Sequence, residues 1–206
     1  MRRAGELLVS DVGRLRSLVD DLMEVSRFDA RAEQIAVEPV DLGRIVRMTT
    51  ASRLPEATIQ LPDEPVVIET DPRRFDRIVA NLLDNAREHA PETPVSVSLA
   101  IDAVEGEIVV AVTDRGPGVP PDRLARIFER FYKADPSRHG GSSGLGLAIA
   151  AEHAALLGGY LTASNLSEGG LRMELRLPVT GSLPPGDVPA IVGVDAGGST
   201  QPIPGA

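Results

Sequence analysis

The sequence contains no cysteine and no tryptophan, and its 206 residues include only four Phe and two Tyr. Without thiols there are no disulfides, no thiolate nucleophile and no cysteine-held metal. With so few aromatics, any core must be built from Leu, Val, Ile and Ala. No apolar run approaches the roughly 20 residues that a membrane-spanning helix needs, and no signal-peptide pattern is visible. Basic residues are in deficit: 21 Lys and Arg against 30 Asp and Glu give a formal net charge of -9. Nucleic-acid binding rests on clustered Lys and Arg that neutralise phosphates, so a nucleic-acid partner is not expected. The expectation is a cytoplasmic segment that makes no membrane contact of its own.

What is present suffices for one globular domain with an attached helix and tail. Residues 1–34 contain Leu8, Val12, Leu15, Val19 and Leu22, spaced alternately by four and three as in a coiled-coil seam. A second row, Val9, Leu18 and Val25, widens the stripe and predicts a bundle helix over 5–28 that cannot bury its own apolar face. Residues 35–180 read as a mixed α/β domain. Phe75, Ile78, Val79, Leu82, Leu83 and Ala86 recur at helical spacing after Pro72, predicting a helix over 72–89. Alternation at Val95, Val97, Leu99 and Ile101, then at Ile108, Val110 and Val112, predicts two strands joined by a turn at Val104-Glu105-Gly106. Residues 115–143, rich in Gly, Pro and charge, read as a lid with a short helix over 124–131. A helix over 144–157 and strands over 159–165 and 170–178 close the domain. The fold class is α+β, a two-layer α/β sandwich preceded by a long amphipathic helix. Residues 181–206, dense in Pro and Gly without period, are expected to be disordered.

Four stretches carry chemistry. Asn81 and Asn85 lie one helical turn apart on one face, and a carboxamide oxygen suits a magnesium ion that keeps several waters and bridges phosphates. Asp114, at a strand end before Arg115-Gly116-Pro117-Gly118, can only accept hydrogen bonds when ionised. It suits the amine of adenine and opposes the carbonyl of guanine, while Gly116 and Gly118 let the backbone approach a ring. Phe128-Glu129-Arg130-Phe131-Tyr132-Lys133 places two cations in the lid where they could offset phosphate charge; Phe128 and Phe131 are read as packing the lid onto the core. The run Ser143-Gly144-Leu145-Gly146-Leu147 opens a helix, and a glycine-rich turn feeding a helix N-terminus exposes amides to phosphate.

In the order NLLDNA, DRGPG, FERFY, GGSSGLGLAI, these stretches resemble the four boxes of the histidine-kinase ATP-binding domain, a superfamily shared with gyrase, Hsp90 and MutL. The resemblance covers about residues 38–179. The LVDDLMEVSRFDA segment resembles the second helix of the kinase dimerisation hairpin. The resemblance implies a Bergerat-type fold that binds ATP with Mg2+. It implies Asn85 and Asn81 at the metal and phosphates, and Asp114, Gly116 and Gly118 around adenine. Phosphate contacts fall to Ser143, Gly144, Leu145, Gly146 and Leu147, lid cations to Arg130 and Lys133, and a base or ribose contact to His89. Implied partners are an acceptor-histidine helix of the parent kinase, a response-regulator receiver domain and a second protomer of the full-length parent, itself anchored in the inner membrane.

Two departures matter. Many family members carry Lys or Arg where Glu88 stands; Arg87 is next to it, about 100° around a helix. The family's acceptor box, resembling His-Glu-Leu-Arg-x-Pro, is absent, so the sequence is expected to begin after the acceptor. A hydrolytic clamp would need a glutamate where Asn81 stands, and a carboxamide is no general base, which favours phosphoryl transfer. The alternative is a noncatalytic nucleotide-binding or anti-sigma-type module. One outcome follows from the histidine inventory. The isolated chain, incubated with labelled Mg-ATP, should acquire no acid-labile, base-stable phosphate; labelling of His89, His139 or His153 would contradict the reading.

Overall fold

The computed structural model describes residues 2–29, 35–133 and 143–179, and the chain divides into two compact units, Met1–Gln34 and Ile35 onward. The expected tail, 181–206, and part of the expected lid, 134–142, lie outside the described residues.

The first unit is one helix, α1 (Arg2–Asp29). Val12, Leu15, Val19 and Leu22 of the expected seam are all exposed. No helix among the described residues is long and apolar enough to cross a membrane.

The second unit contains β1 (Glu38–Asp41), α2 (Leu42–Arg53), β2 (Thr58–Gln60), β3 (Val67–Thr70), α3 (Pro72–His89), β4 (Val95–Asp102) and β5 (Glu107–Asp114). It continues through α4 (Pro121–Leu124), α5 (Gly146–Leu156), β6 (Tyr160–Asn165) and β7 (Leu171–Pro178). The main sheet has five strands in the order β2-β4-β5-β7-β6, antiparallel except for the β2–β4 pair. A two-stranded antiparallel sheet, β1-β3, stands apart from it. The fold is thus the mixed α/β arrangement expected from the sequence. One face of the main sheet is apolar because strand side chains alternate: Val97, Leu99, Ile108, Val110, Val112, Leu161, Met173, Leu175 and Leu177 are all buried on it. Against that face pack α3 and α5, with α2 against α3. The six apolar residues expected on the 72–89 helix are completely buried in α3.

Residues 38–70 hold four elements that periodicity did not reveal. Strand β2 is three residues long and exposed throughout, so it shows no alternation. In α2 the buried row includes Gly43, Thr49 and Thr50 alongside Leu42 and Val46, which blurs the apolar period. The short helix expected over 124–131 sits earlier, at Pro121–Leu124. Beyond it the amides of Arg126 and Glu129 donate to the carbonyls three residues back, at 3.0 and 2.9 Å, in successive tight turns.

The start of α3 is fastened by a buried polar cluster. Asp71 Oδ1 caps the helix by accepting from the amides of Arg73 and Arg74 at 3.0 and 3.2 Å. Its Oδ2 accepts from Ala36 N at 3.0 Å and lies 3.5 Å from Arg74 Nε. Arg74 Nη1 lies 3.2 Å from His153 Nδ1 on α5; a guanidinium only donates, so that nitrogen accepts. Asp71, Arg74 and His153 are all buried. Asp71→Ala should therefore remove the cap and leave a buried guanidinium without its carboxylate, costing about 3 kcal/mol in urea unfolding. Asp71→Asn, which keeps a capping oxygen, should cost less; equal losses would show that the cap contributes nothing and the whole loss comes from the charge.

Candidate functional site

Helix α3 carries two stripes. With its apolar row turned to the sheet, Asn81, Asp84, Asn85 and Glu88 recur at i, i+3, i+4 and i+7 on another face and line a cavity of about 690 Å³, joined by His89. The opposite walls come from Asp114 at the end of β5, the loop Pro117–Pro121, and Arg123, Ile127, Tyr132 and Lys133. Gly144, Gly146 and Leu147 at the start of α5, with Leu171 of β7, complete it.

Asp114 is buried, and its Oδ1 accepts from Gly116 N at 2.8 Å and Leu171 N at 3.2 Å. One carboxylate oxygen is thus committed to the backbone, which fixes the side chain and leaves Oδ2 to offer its lone pairs to a ligand. Gly116 is required here by space, since a Cβ would lie 2.7 Å from that of Ala90.

The two asparagines are held differently. Asn85 Nδ2 contacts Met173 Sδ at 3.5 Å, and Met173 is fully buried. A thioether sulfur only accepts, so this contact assigns the nitrogen to the sulfur and turns the carboxamide oxygen away from it, to the cavity side. Asn81 is buried, and its Nδ2 has no hydrogen-bond partner among the described residues. A buried amide donor without a partner is costly, and this one belongs to a cavity-wall residue beside the start of α5, where Gly146 adjoins Asn81.

Among the described residues no side chain caps the start of helix α5, whose first-turn residues Gly146 and Leu147 line the cavity at the positive end of the helix dipole. Ser143 Oγ accepts from Leu145 N at 3.2 Å, and the Leu145 side chain is completely buried. Gly144 adopts φ +70°, and a Cβ there would lie 2.8 Å from the carbonyl oxygen of Tyr132. Phe131 N donates to Gly144 O at 2.9 Å, so the stretch ending at Lys133 and the start of α5 are fastened together.

Of the residues singled out from the sequence, Asn81, Asn85, His89, Asp114, Gly118, Lys133, Gly144, Gly146 and Leu147 line this one cavity. Gly116, Ser143 and Leu145 stand just behind it, holding Asp114 and the α5 turn. Arg130 is not among the lining residues and pairs with Glu152 of α5 at 3.2 Å. Arg87 forms an ion pair with Asp84 Oδ1 at 2.8 Å, and Arg53 Nη1 donates to Oδ2 of the same carboxylate at 3.0 Å. Glu88 itself faces the cavity.

Phe128 is buried as expected, but Phe131 is not. Its φ of +62° sends the side chain outward while its amide bonds Gly144, leaving the ring 61% exposed. Arg126, 4.5 Å over the Tyr132 ring, takes part in holding the stretch instead. Arg123 lines the cavity and was not singled out; beside two prolines in a charged stretch it carried no periodic signal.

Residues 70–181 match the profile of the family described as histidine kinase-, DNA gyrase B- and HSP90-like ATPases, and the chain belongs to that family. It is 45% identical over 186 residues to the signal transduction histidine-protein kinase AfsQ2 of Streptomyces coelicolor, covering 89% of this chain and 34% of that protein. Against the sensor histidine kinase MtrB of Mycobacterium tuberculosis it is 39% identical over 189 residues, covering 87% and 33%. The chain thus spans about a third of the length of these curated relatives. Among solved structures, full-length ShkA in complex with AMPPNP superposes with a TM-score of 0.72 at 30% identity, covering 86% of this chain and 38% of that one. The mycobacterial sensor histidine kinase MprB superposes with a TM-score of 0.60 at 30% identity, covering 68% and 97%.

The junction at Gly144 yields a test. Gly144→Ala forces a side chain into a left-handed backbone against Tyr132, and should cost about 1–3 kcal/mol in thermal unfolding. A variant as stable as the unaltered chain would show that this turn adjusts freely.

Proposed function

We propose that this chain is the catalytic segment of a sensor histidine kinase, binding Mg-ATP and passing its γ-phosphoryl group to a histidine on another segment. The observation that supports this most is a single cavity lined by a backbone-anchored carboxylate, a stripe of two asparagines and the N-terminus of α5. Asp114 Oδ2 would accept from the exocyclic amine of adenine; guanine would set a carbonyl oxygen against it. The first-turn amides of α5 at Gly146 and Leu147 would take phosphate oxygens, with the orphaned Asn81 Nδ2 a further donor. His89, on the same wall, suits a base or ribose contact, and Gly118 the close approach of the ring.

The donor set fits Mg2+. Among the described residues no cluster of three His, Cys, Asp or Glu could hold a metal by itself. The oxygen of Asn85, oriented by Met173, and that of Asn81 are hard neutral ligands of the kind that leave most positions to phosphates and water. The ion, when bound, would offset phosphate charge. Lys133 and Arg123, both in the cavity wall, would add to that offset, and Arg130 would have to leave Glu152 to join them. Asn81 cannot activate water, so the site favours transfer over hydrolysis.

On this reading the partners are the acceptor-histidine helix of the parent kinase and the receiver domain of a response regulator. The parent would be a homodimer, with this segment on the cytoplasmic side of the inner membrane. Helix α1 (residues 1–34) would be the second helix of the dimerisation hairpin, 35–180 the ATP-binding domain, and 181–206 a tail. One observation favours a second reading, a noncatalytic nucleotide-binding or interaction module: Glu88 places a carboxylate in the cavity where a cation is usual for the family.

Asp114→Asn can keep the bonds from Gly116 and Leu171 while turning the free acceptor into a donor. It should leave the fold intact and weaken ATP binding by about 1–3 kcal/mol in calorimetry. Asn85→Ala should abolish phosphoryl transfer to a supplied acceptor helix while leaving α3 helical, since Ala is the better helix former. Unchanged affinity in the first variant would remove Asp114 from base reading. Absence of nucleotide binding by the unaltered chain at millimolar Mg-ATP would favour the noncatalytic module.

A further inference from the structure

The turn between β6 and β7 presses against the loop that leaves Asp114. Asn165, at the end of β6, accepts from Val119 N through Oδ1 at 2.9 Å and donates to Val119 O through Nδ2 at 2.6 Å. Both backbone groups of one loop residue are therefore held by one carboxamide, a side-chain imitation of a strand bridge. The carboxamides of Asn and Gln carry a donor and an acceptor on one short planar group, and Gln would overreach by a methylene.

The grip extends to Gly118, which adopts φ +70°; a Cβ on it would lie 2.7 Å from Asn165 Oδ1 and 3.2 Å from Gly170 O. Asn165 thus occupies the room that a side chain at Gly118 would need. From the same turn, Leu171 N donates to Asp114 Oδ1 at 3.2 Å, and Gly170 packs directly on the Asp114 carbonyl. The two sides of the loop, Asp114 at its start and Val119 at its end, are anchored to one rigid hairpin. Gly118, Val119 and Asp114 all line the cavity.

We propose that Asn165 is a positioning residue for nucleotide selection, holding the Gly118–Val119 wall at a fixed distance from Asp114 so that the pocket between them admits one purine in one orientation. The proposal rests on reading the cavity as a nucleotide site. Asn165 makes no contact with the base; it acts through Val119 and Gly118. With the clamp cut, that wall is free to shift, and the penalty that Asp114 imposes on guanine is relaxed because the ring can tilt away from it.

The test compares the full chain with Asn165→Ala and Asn165→Asp, titrated by calorimetry with non-hydrolysable Mg-ATP and Mg-GTP analogues. Native-state hydrogen exchange is followed at Val119. The Asp variant preserves shape and the acceptor for Val119 N but sets a carboxylate oxygen against Val119 O, so it remains informative should the Ala variant fail to fold. In both, the ATP analogue should bind about tenfold more weakly, because a wall that is free to move must be ordered again when the ligand binds. The ATP-to-GTP preference should narrow several-fold, and the Val119 amide should exchange faster. A fall in melting temperature with an unaltered preference ratio would reduce Asn165 to a structural residue and overturn the proposal. Failure of the unaltered chain to bind either analogue would instead sink the nucleotide reading and this proposal with it.

Discussion

Everything at the site depends on how α3 is seated on the sheet. Six of its side chains are completely buried, and with 3.6 residues per turn that seating leaves no rotational freedom. Burying Phe75, Ile78, Val79, Leu82, Leu83 and Ala86 turns Asn81, Asp84, Asn85 and Glu88 onto the cavity. A rotation of even one residue, about 100°, would trade an asparagine for a leucine at the cavity wall and place a carboxamide in the core. The hydrophobic effect thus sets the direction in which the polar stripe points, although none of the residues that point there contributes to the core.

Around that helix, the polar side chains are held by groups that have no role in chemistry. Asp114 is fixed by two backbone amides, Asn85 by the sulfur of Met173, and Val119 by Asn165. The first two contacts use one end of a bifunctional group and leave the other for a ligand, whereas Asn165 spends both of its ends on the loop. Such preorganisation means that little reorientation is needed when a ligand arrives. Asn81 is the exception: its buried donor is unmatched among the described residues, a local cost.

The electrostatics of the cavity are mixed. Asp84, Glu88 and Asp114 face Arg123 and Lys133, so a polyanionic ligand would meet no strong positive field from the side chains. The amides of α5 and a bound cation would have to carry more of that load. Arg87, adjacent to Glu88, is drawn to Asp84 and does not line the cavity.

The sequence by itself determined the α/β class, the α3 register, the β4–β5 hairpin and the glycine-rich start of α5, because each is written in a local period or a local turn preference. Ordered motifs also identified the family. It did not reveal β1, α2, β2 and β3, whose strands are only three or four residues long and whose helix buries threonines. Tertiary structure alone decided which groups meet. The Asn165–Val119 clamp joins residues 46 apart and the Asn85–Met173 contact residues 88 apart. Arg130, which the resemblance implies as a lid cation for phosphate, is paired with Glu152. Periodicity tells which face of an element is buried, but hydrogen-bond partners depend on how the faces of different elements are brought together, and only the closed sheet with α3 and α5 packed on it supplies that.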